Sequence, residues 1–276
     1  MSETARAPRR ALITGAGSGL GLALAKRYAR AGYAIAVADL HLDRAESAVV
    51  MLNQINVGHF AVVVDVSQCL SVEAMRDEVS RRWPEGFDVL INNAGVATAG
   101  SVAESSLEDW QWVIGINLMG VVHGMKAFAP MFLRRQRGHI ISTASFAALA
   151  GAPGLASYGT TKAAVVALSE GLRGEMHAHG VKVSVVCPSF FKTNLLETAR
   201  GPDDRFRNFA SGLMEKAKVT ADDIAAYVYA AAERGDFMII PTAPERLLWR
   251  LKRLVPNYFF KKLMKRYGSI ARKPNH

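Results

Sequence analysis

Cysteine is scarce: Cys69 and Cys187 are the only two in 276 residues. Neither stands at a zinc-ligand or disulfide-framework spacing, so no metal site and no stapled scaffold is expected. Both read as small buried hydrophobes of a reducing compartment. No run reaches the ~18 apolar residues of a bilayer span. The polar, basic start Met1–Arg10 leads straight into a strand and lacks the apolar core of a secretory leader. A cytoplasmic protein is the expectation. Acids are nearly missing from the end of the chain. From Thr242 to His276, ten basic residues face the single acid Glu245, a net +9 out of the total +10. The basicity therefore belongs to an appendage and not to the fold. Repeats, low-complexity stretches and linkers are absent before Pro241.

What is present alternates. Apolar strands are expected at Arg10–Thr14, Ala34–Ala38, His59–Val64, Val89–Ile91, His139–Ser142, Lys182–Val186 and Phe237–Ile240. Helices are expected at Gly19–Ala31, His41–Asn53, Ser71–Arg82, Leu107–Arg135, Ala156–His177 and Asp222–Ala232, the last with Thr220 as N-cap. Pro188–Val219 reads as irregular. Strands spaced by helices of this length argue for βαβ units, hence an α/β fold with a doubly wound parallel sheet in three layers. Continuous apolar strands fit a sheet covered on both faces. Half the residues are hydrophobic, enough for a sizeable core. The simplest division is one domain over 1–241 and a basic amphipathic extension over 242–276.

Gly15, Gly19 and Gly21 lie between the first strand and helix. Glycines there permit a tight turn and bring backbone N–H groups to a pyrophosphate at the positive end of the helix; a plain packing turn is the alternative. Asp39 closes the second strand about 20 residues on. Its carboxylate can accept bonds from an adenosine ribose and would repel a 2′-phosphate. Leu40 and His41 follow it and Ser18 adds no charge to the turn, which favours NAD over NADP. Asp65, at the next strand end, can reach an adenine amino group or simply cap its own segment through Ser67. Asn92-Asn93-Ala94-Gly95 would let the backbone pass close to a cofactor, or tie off a loop.

Tyr158 and Lys162 are four apart in a helical stretch, so they share a face. A phenol and an ammonium on one face, beside a nucleotide turn, point to alcohol–ketone chemistry. A phenol titrates near pH 10; bringing it about 3 units lower needs about 4 kcal/mol, which one ammonium at ~4 Å and an effective dielectric of ~20 supplies. Ser145, thirteen positions before Tyr158, can hydrogen-bond the reacting oxygen, and Asn117 is a polar break in an apolar helix.

Taken together, Thr14-Gly-x-x-x-Gly19-x-Gly21, Asp65-Val66, Asn92-Asn93-Ala94-Gly95, Asn117, Ser145 and Tyr158-x-x-x-Lys162 resemble the short-chain dehydrogenase/reductase family in order and spacing. The resemblance spans residue 10 to about 240 and implies a Rossmann fold and a homodimer or homotetramer. It implies a catalytic tetrad of Asn117, Ser145, Tyr158 and Lys162, with Tyr158 as general acid–base and Asn117 holding a water in a proton path. It implies cofactor contacts from Gly15, Ser18, Gly19, Leu20, Gly21, Asp39, Asp65, Val66, Asn93, Ala94, Gly95, Tyr158, Lys162, Pro188 and Thr193. The family shows glycine where this chain has Ser189, so any positive-φ geometry there is at issue.

The substrate pocket is expected to draw on Ser145, Leu149, Tyr158, Phe190 and Phe191, under a lid over about 190–218, and to take a small hydrophobic or aromatic alcohol or ketone. The tail interleaves Leu247, Leu251, Leu254, Phe259, Phe260, Leu263, Met264 and Tyr267 with Lys and Arg, broken at Pro256 into two short amphipathic helices. It reads either as a peripheral contact with the inner face of a membrane, or a partner, or as a roof on the pocket. Nucleic acid is not an expected partner: no motif for it is present. Two rival functions stay open, an NADPH-dependent ketone reductase and a non-catalytic nucleotide-binding module acting through its tail.

Overall fold

In the computed structural model of the chain, residues 8–192, 195, 199–202 and 204–271 are described; Thr193 lies outside them. The first half alternates as β1 (Arg10–Thr14), α1 (Gly19–Arg30), β2 (Ala34–Asp39), α2 (Leu42–Asn53), β3 (Phe60–Val63), α3 (Cys69–Arg82) and β4 (Val89–Asn92). Then α4 (Leu107–Ile114), a π-helical turn (Gly115–Met119) and α5 (Gly120–Arg135) form one run leading to β5 (Gly138–Thr143). The second half comprises α6 (Phe146–Ala150), α7 (Ala156–His177), β6 (Val181–Val186), α8 (Asp204–Glu215), α9 (Ala221–Arg234), β7 (Met238–Ile239), α10 (Ala243–Leu254) and α11 (Pro256–Ala271).

The strands form one seven-stranded sheet in the order β3-β2-β1-β4-β5-β6-β7, every neighbouring pair parallel. Two apolar layers cover its faces. On one, Leu12, Leu90 and Ile140 meet Met125, Phe128 and Phe132 of α5. On the other, Ile13, Val37 and Ile91 meet Leu24 and Tyr28 of α1 and Val228 of α9. This is the doubly wound Rossmann arrangement. The strand order reverses between β1 and β4, and the crevice beyond the strand carboxyl ends at that point is where such sheets bind ligands.

Local chemistry sets the helix ends. Thr220 and Asp223 form a reciprocal capping box at α9, with two acids in the first turn, and Gly235 closes the helix in the left-handed region. By contrast, α1 starts at Ser18 with no side-chain cap and no acid in its first turn.

Three expectations need correction. Pro188–Val219 is not wholly irregular, because α8 occupies Asp204–Glu215; Phe206, Phe209 and Leu213 recur at helical spacing. Cys69 is exposed and only Cys187 is buried; as the first residue of α3, Cys69 reaches toward Glu73 at the surface. The run Leu107–Arg135 is, by length and composition alone, apolar enough to cross a membrane. Its apolarity serves the sheet instead, through Val121, Met125, Phe128 and Phe132 in the core. Ser189, where the family shows glycine, raises no conflict. Among the described residues, Gln136 is the only non-glycine with positive φ, so serine at 189 carries no left-handed strain.

Candidate active site

A cavity of about 600 Å³ opens at the carboxyl ends of the strands. At one end lies the glycine turn. Gly15, Ser18, Gly19, Leu20 and Gly21 all line it. A Cβ at Gly21 would stand 2.0 Å from the Gly15 carbonyl oxygen, so only glycine lets α1 begin this close to β1. The first turn of α1 carries no side-chain cap and no acid of its own, which leaves its N–H groups open to an anionic pyrophosphate.

Asp39 is buried at the end of β2. One carboxylate oxygen accepts the Gly17 N–H at 2.9 Å and the other accepts the His41 N–H at 3.1 Å. A carboxylate has about four acceptor sites, so capacity remains for ribose hydroxyls. Leu40, His41 and Arg44 line the same rim. Sequence reading missed Arg44, a cation on the first turn of α2, five residues past Asp39. Asp65 lines the cavity too, with Oδ1 accepting both the N–H and the hydroxyl of Ser67, at 2.9 and 2.7 Å. The cap and the cavity wall are thus the same group, with one oxygen committed to the cap.

Val66, Asn93, Ala94, Gly95 and Pro188 also line the cavity. Asn93 is held by both ends: its Nδ2 donates to the Thr14 carbonyl at 3.0 Å and its Oδ1 accepts from Thr143 at 3.3 Å. Thr14, which sequence reading did not single out, accepts the N–H groups of Asn93 and Ala94 at 3.0 and 3.1 Å. Its hydroxyl fixes the path of the strand end past the cofactor crevice; its place as first residue of the glycine motif is the signal that could have found it.

Farther in, Ser145, Tyr158 and Lys162 line the cavity together. Tyr158 and Lys162 project from one face of α7, and both are buried. Ser145 caps α6, accepting the Ala147 N–H at 3.1 Å, and its hydroxyl is close enough to Tyr158 to favour the phenolate. Lys162 Nζ donates to the Thr143 carbonyl of β5 at 2.9 Å. Asn117 sits at the centre of the π-helical turn, fully buried. Such turns recur at functional sites.

The electrostatics correct one expectation. Burial pushes the Tyr158 phenol up, opposed by the Ser145 hydroxyl; Lys162 is not among the groups that move it. Burial also brings the Lys162 ammonium down to about 8. Lys162 therefore gives its proton up readily, and burial outweighs every other influence on the phenol. Asn117 has a packing role that its sequence position does not state. Its Oδ1 accepts the Val96 N–H and its Nδ2 donates to the Val96 carbonyl, both at 2.9 Å. The side chain clamps the Val96 backbone beside Gly95. A Cβ at Gly95 would lie 3.0 Å from Asn117 Oδ1 and 3.1 Å from Lys162 Nζ, so this clamp packs directly beside the lysine.

The substrate end is apolar. Phe190, Phe191 and Leu195 line it, with Ala150, Leu155, Leu213 and Met214. Leu149 does not. It turns from the short α6 onto the core, and its carbonyl accepts from Lys252 Nζ at 2.6 Å. The remaining wall comes from the last two helices, through Leu248, Phe259 and Leu263, with Glu245 and Lys262 at the edge. A strap crosses nearby: the Arg200 N–H donates to the Ala97 carbonyl at 3.2 Å and its carbonyl accepts the Ala99 N–H at 2.9 Å, while its guanidinium stacks 4.3 Å over Trp112.

Comparison with known proteins agrees with this arrangement. The short chain dehydrogenase family model matches residues 9–203. Meso-2,3-butanediol dehydrogenase of Serratia marcescens is 39% identical over 184 residues, covering 67% of this chain and 72% of that protein. A short chain dehydrogenase/reductase from Burkholderia phymatum, solved in complex with NAD, superposes with a TM-score of 0.84 at 30% identity, covering 98% of this chain and 97% of that one. An alcohol dehydrogenase from Thermococcus sibiricus, complexed with 5-hydroxy-NADP, gives a TM-score of 0.73 at 28% identity over 84% of this chain and 95% of that one. The chain belongs to the short-chain dehydrogenase/reductase family, as an oxidoreductase with a nicotinamide-nucleotide fold.

Proposed function

We propose that the protein is an NAD-dependent dehydrogenase interconverting a hydrophobic or aromatic secondary alcohol and its ketone. One observation carries this: Ser145, Tyr158 and Lys162 line the same cavity as the uncapped start of α1 and Asp39. The nicotinamide group, when bound, supplies the hydride acceptor or donor and, oxidised, a positive charge. The α1 turn would hold the pyrophosphate and Asp39 the adenosine ribose. Asp65 and Val66 would flank the adenine, and Asn93, Ala94, Gly95 and Pro188 would border the cofactor's path. Lys162 would take the nicotinamide ribose hydroxyls. Thr193, outside the described residues, would meet the carboxamide.

Tyr158 takes the hydroxyl proton as the alcohol is oxidised and returns it in the reverse direction. Ser145 holds the same oxygen through the charge that develops on it. Lys162, titrating at about 8, accepts and releases protons near neutral pH and so suits a relay between Tyr158 and solvent. Asn117 positions the strand end against which that lysine packs. The apolar lining by Phe190, Phe191, Leu195 and Met214 supports a hydrophobic substrate. Family membership supports a homodimer or homotetramer, and the cytoplasm as compartment.

A second reading, NADPH-linked ketone reduction, is favoured by one observation: Arg44 lines the rim beside Asp39 and could meet a 2′-phosphate. A panel of secondary alcohols with NAD or NADP, followed at the reduced-nicotinamide absorbance, separates the two. The first reading expects turnover of apolar alcohols with NAD. Faster turnover with NADP overturns the cofactor assignment, and no turnover with either overturns the enzymatic one.

A further inference from the structure

The corner between α10 and α11 is apolar and bare. Leu254, Val255, Tyr258 and Phe260 are 81%, 43%, 59% and 58% exposed. Tyr258 and Phe260 are the only aromatics among the exposed large hydrophobic side chains of the described residues. Arg250, Arg253, Lys261, Lys262 and Lys265 are exposed on the same two helices. Lone exposed leucines are ordinary; two exposed aromatics flanking the inward Phe259, next to exposed Leu254 and Val255, point to a contact surface.

The helices bearing the tip also wall the cavity. On α11, Phe259 and Leu263 face the cavity while Tyr258 and Phe260 face out. On α10, Leu248 lines the cavity and Leu254 points to solvent. The hairpin is pinned at its root, where Arg246 donates to Tyr227 at 3.0 Å and to the Ile240 carbonyl at 2.8 Å. Lys252 joins it to α6 through the Leu149 carbonyl.

We infer that this corner docks the protein on an anionic lipid surface, with Leu254, Tyr258 and Phe260 in the interface and the cations on the headgroups, placing the cavity wall against the bilayer. Charge decides the occupant. Residues 242–276 carry a net +9, so a second copy would bring like charge against like charge. A nucleic acid would match the charge but would leave the aliphatic Leu254 and Val255 without a partner. An anionic bilayer satisfies both, since basic residues gain headgroup attraction while the apolar tip leaves water. The benefit to the enzyme rests on the reading of the cavity as a site for hydrophobic substrates, which would then be drawn from the membrane; the docking itself is measured without turnover.

The test is co-sedimentation of the full chain with vesicles of phosphatidylcholine, alone or with about 30 mol% phosphatidylglycerol. Binding is expected only to the anionic vesicles and is expected to vanish at about 1 M salt, where screening is complete within ~3 Å. Arg253→Glu with Lys261→Glu is expected to weaken it at least tenfold. Leu254→Asp with Phe260→Asp is expected to do the same at low salt, and both variants are expected to keep the parent's circular dichroism and NAD affinity. No binding to anionic vesicles overturns the proposal, as does binding that neither variant weakens. So does a preference for duplex DNA over vesicles, or a dimer that Phe260→Asp dissociates. Vesicle binding without turnover of any alcohol leaves the docking intact and sinks the proposed activity alone.

Discussion

The Asp39 carboxylate accepts the Gly17 N–H at 2.9 Å across 22 residues of chain, so the end of β2 and the glycine turn are one structural unit. Asp39→Ala removes both this bond and the bond to the His41 N–H. We expect NADH affinity to fall at least tenfold, or ~1.4 kcal/mol, and NADP affinity to fall far less, because Arg44 remains at the rim. Fluorescence titration with both cofactors checks this; an unchanged preference would remove Asp39 from cofactor discrimination.

His139 lies buried on β5 with its Nε2 against Ser184 Oγ at 2.8 Å, and Ser184 donates onward to the Asp236 carbonyl. Burial lowers this imidazole to about 3. The folded chain thus keeps His139 neutral while the unfolded chain protonates it below about 6.5. Stability contributed by the neutral imidazole is present above about pH 6.5 and drains away as pH falls toward 3, by about 2 kcal/mol at pH 5. His139→Asn should lower the melting temperature at pH 7.5 and shrink the loss between pH 7.5 and 5. An equal acid loss in both proteins would contradict the assignment.

Lys162 has the same sign at higher pH. Its ammonium titrates at about 8 when folded and near 10.4 unfolded. Between these values the unfolded chain holds a proton that the folded chain has lost, so stability from this group rises with pH. The melting-temperature difference between wild type and Lys162→Met should therefore shift in favour of wild type from pH 8 to 10. A flat difference would mean that the buried amine is not desolvated.

The Tyr158–Lys162 pair and the glycine turn were legible because their meaning lies in short spacings, four residues on one helix face and a strand-to-helix turn. The parallel sheet was legible from continuous apolar strands for the same reason. Arg44 was not, because whether a residue on α2 meets the rim depends on how that helix lies against Asp39. Leu149 failed as a pocket residue because α6 is a five-residue helix whose rotation is set by its neighbours, including Lys252 over a hundred positions away. The acidity of Tyr158 failed because spacing reports a neighbouring charge but not burial, and burial dominates. The tail's contribution to the cavity wall was one of two open readings, since amphipathicity states that a face is covered and not by what.

The most direct test is Tyr158→Phe, which deletes the phenolic oxygen and keeps the ring. Turnover of an apolar secondary alcohol with NAD should fall at least 10³-fold, while NADH titration gives affinity within about threefold of wild type. Retained turnover, or loss of cofactor binding in parallel with activity, would contradict Tyr158 as the group that moves the proton.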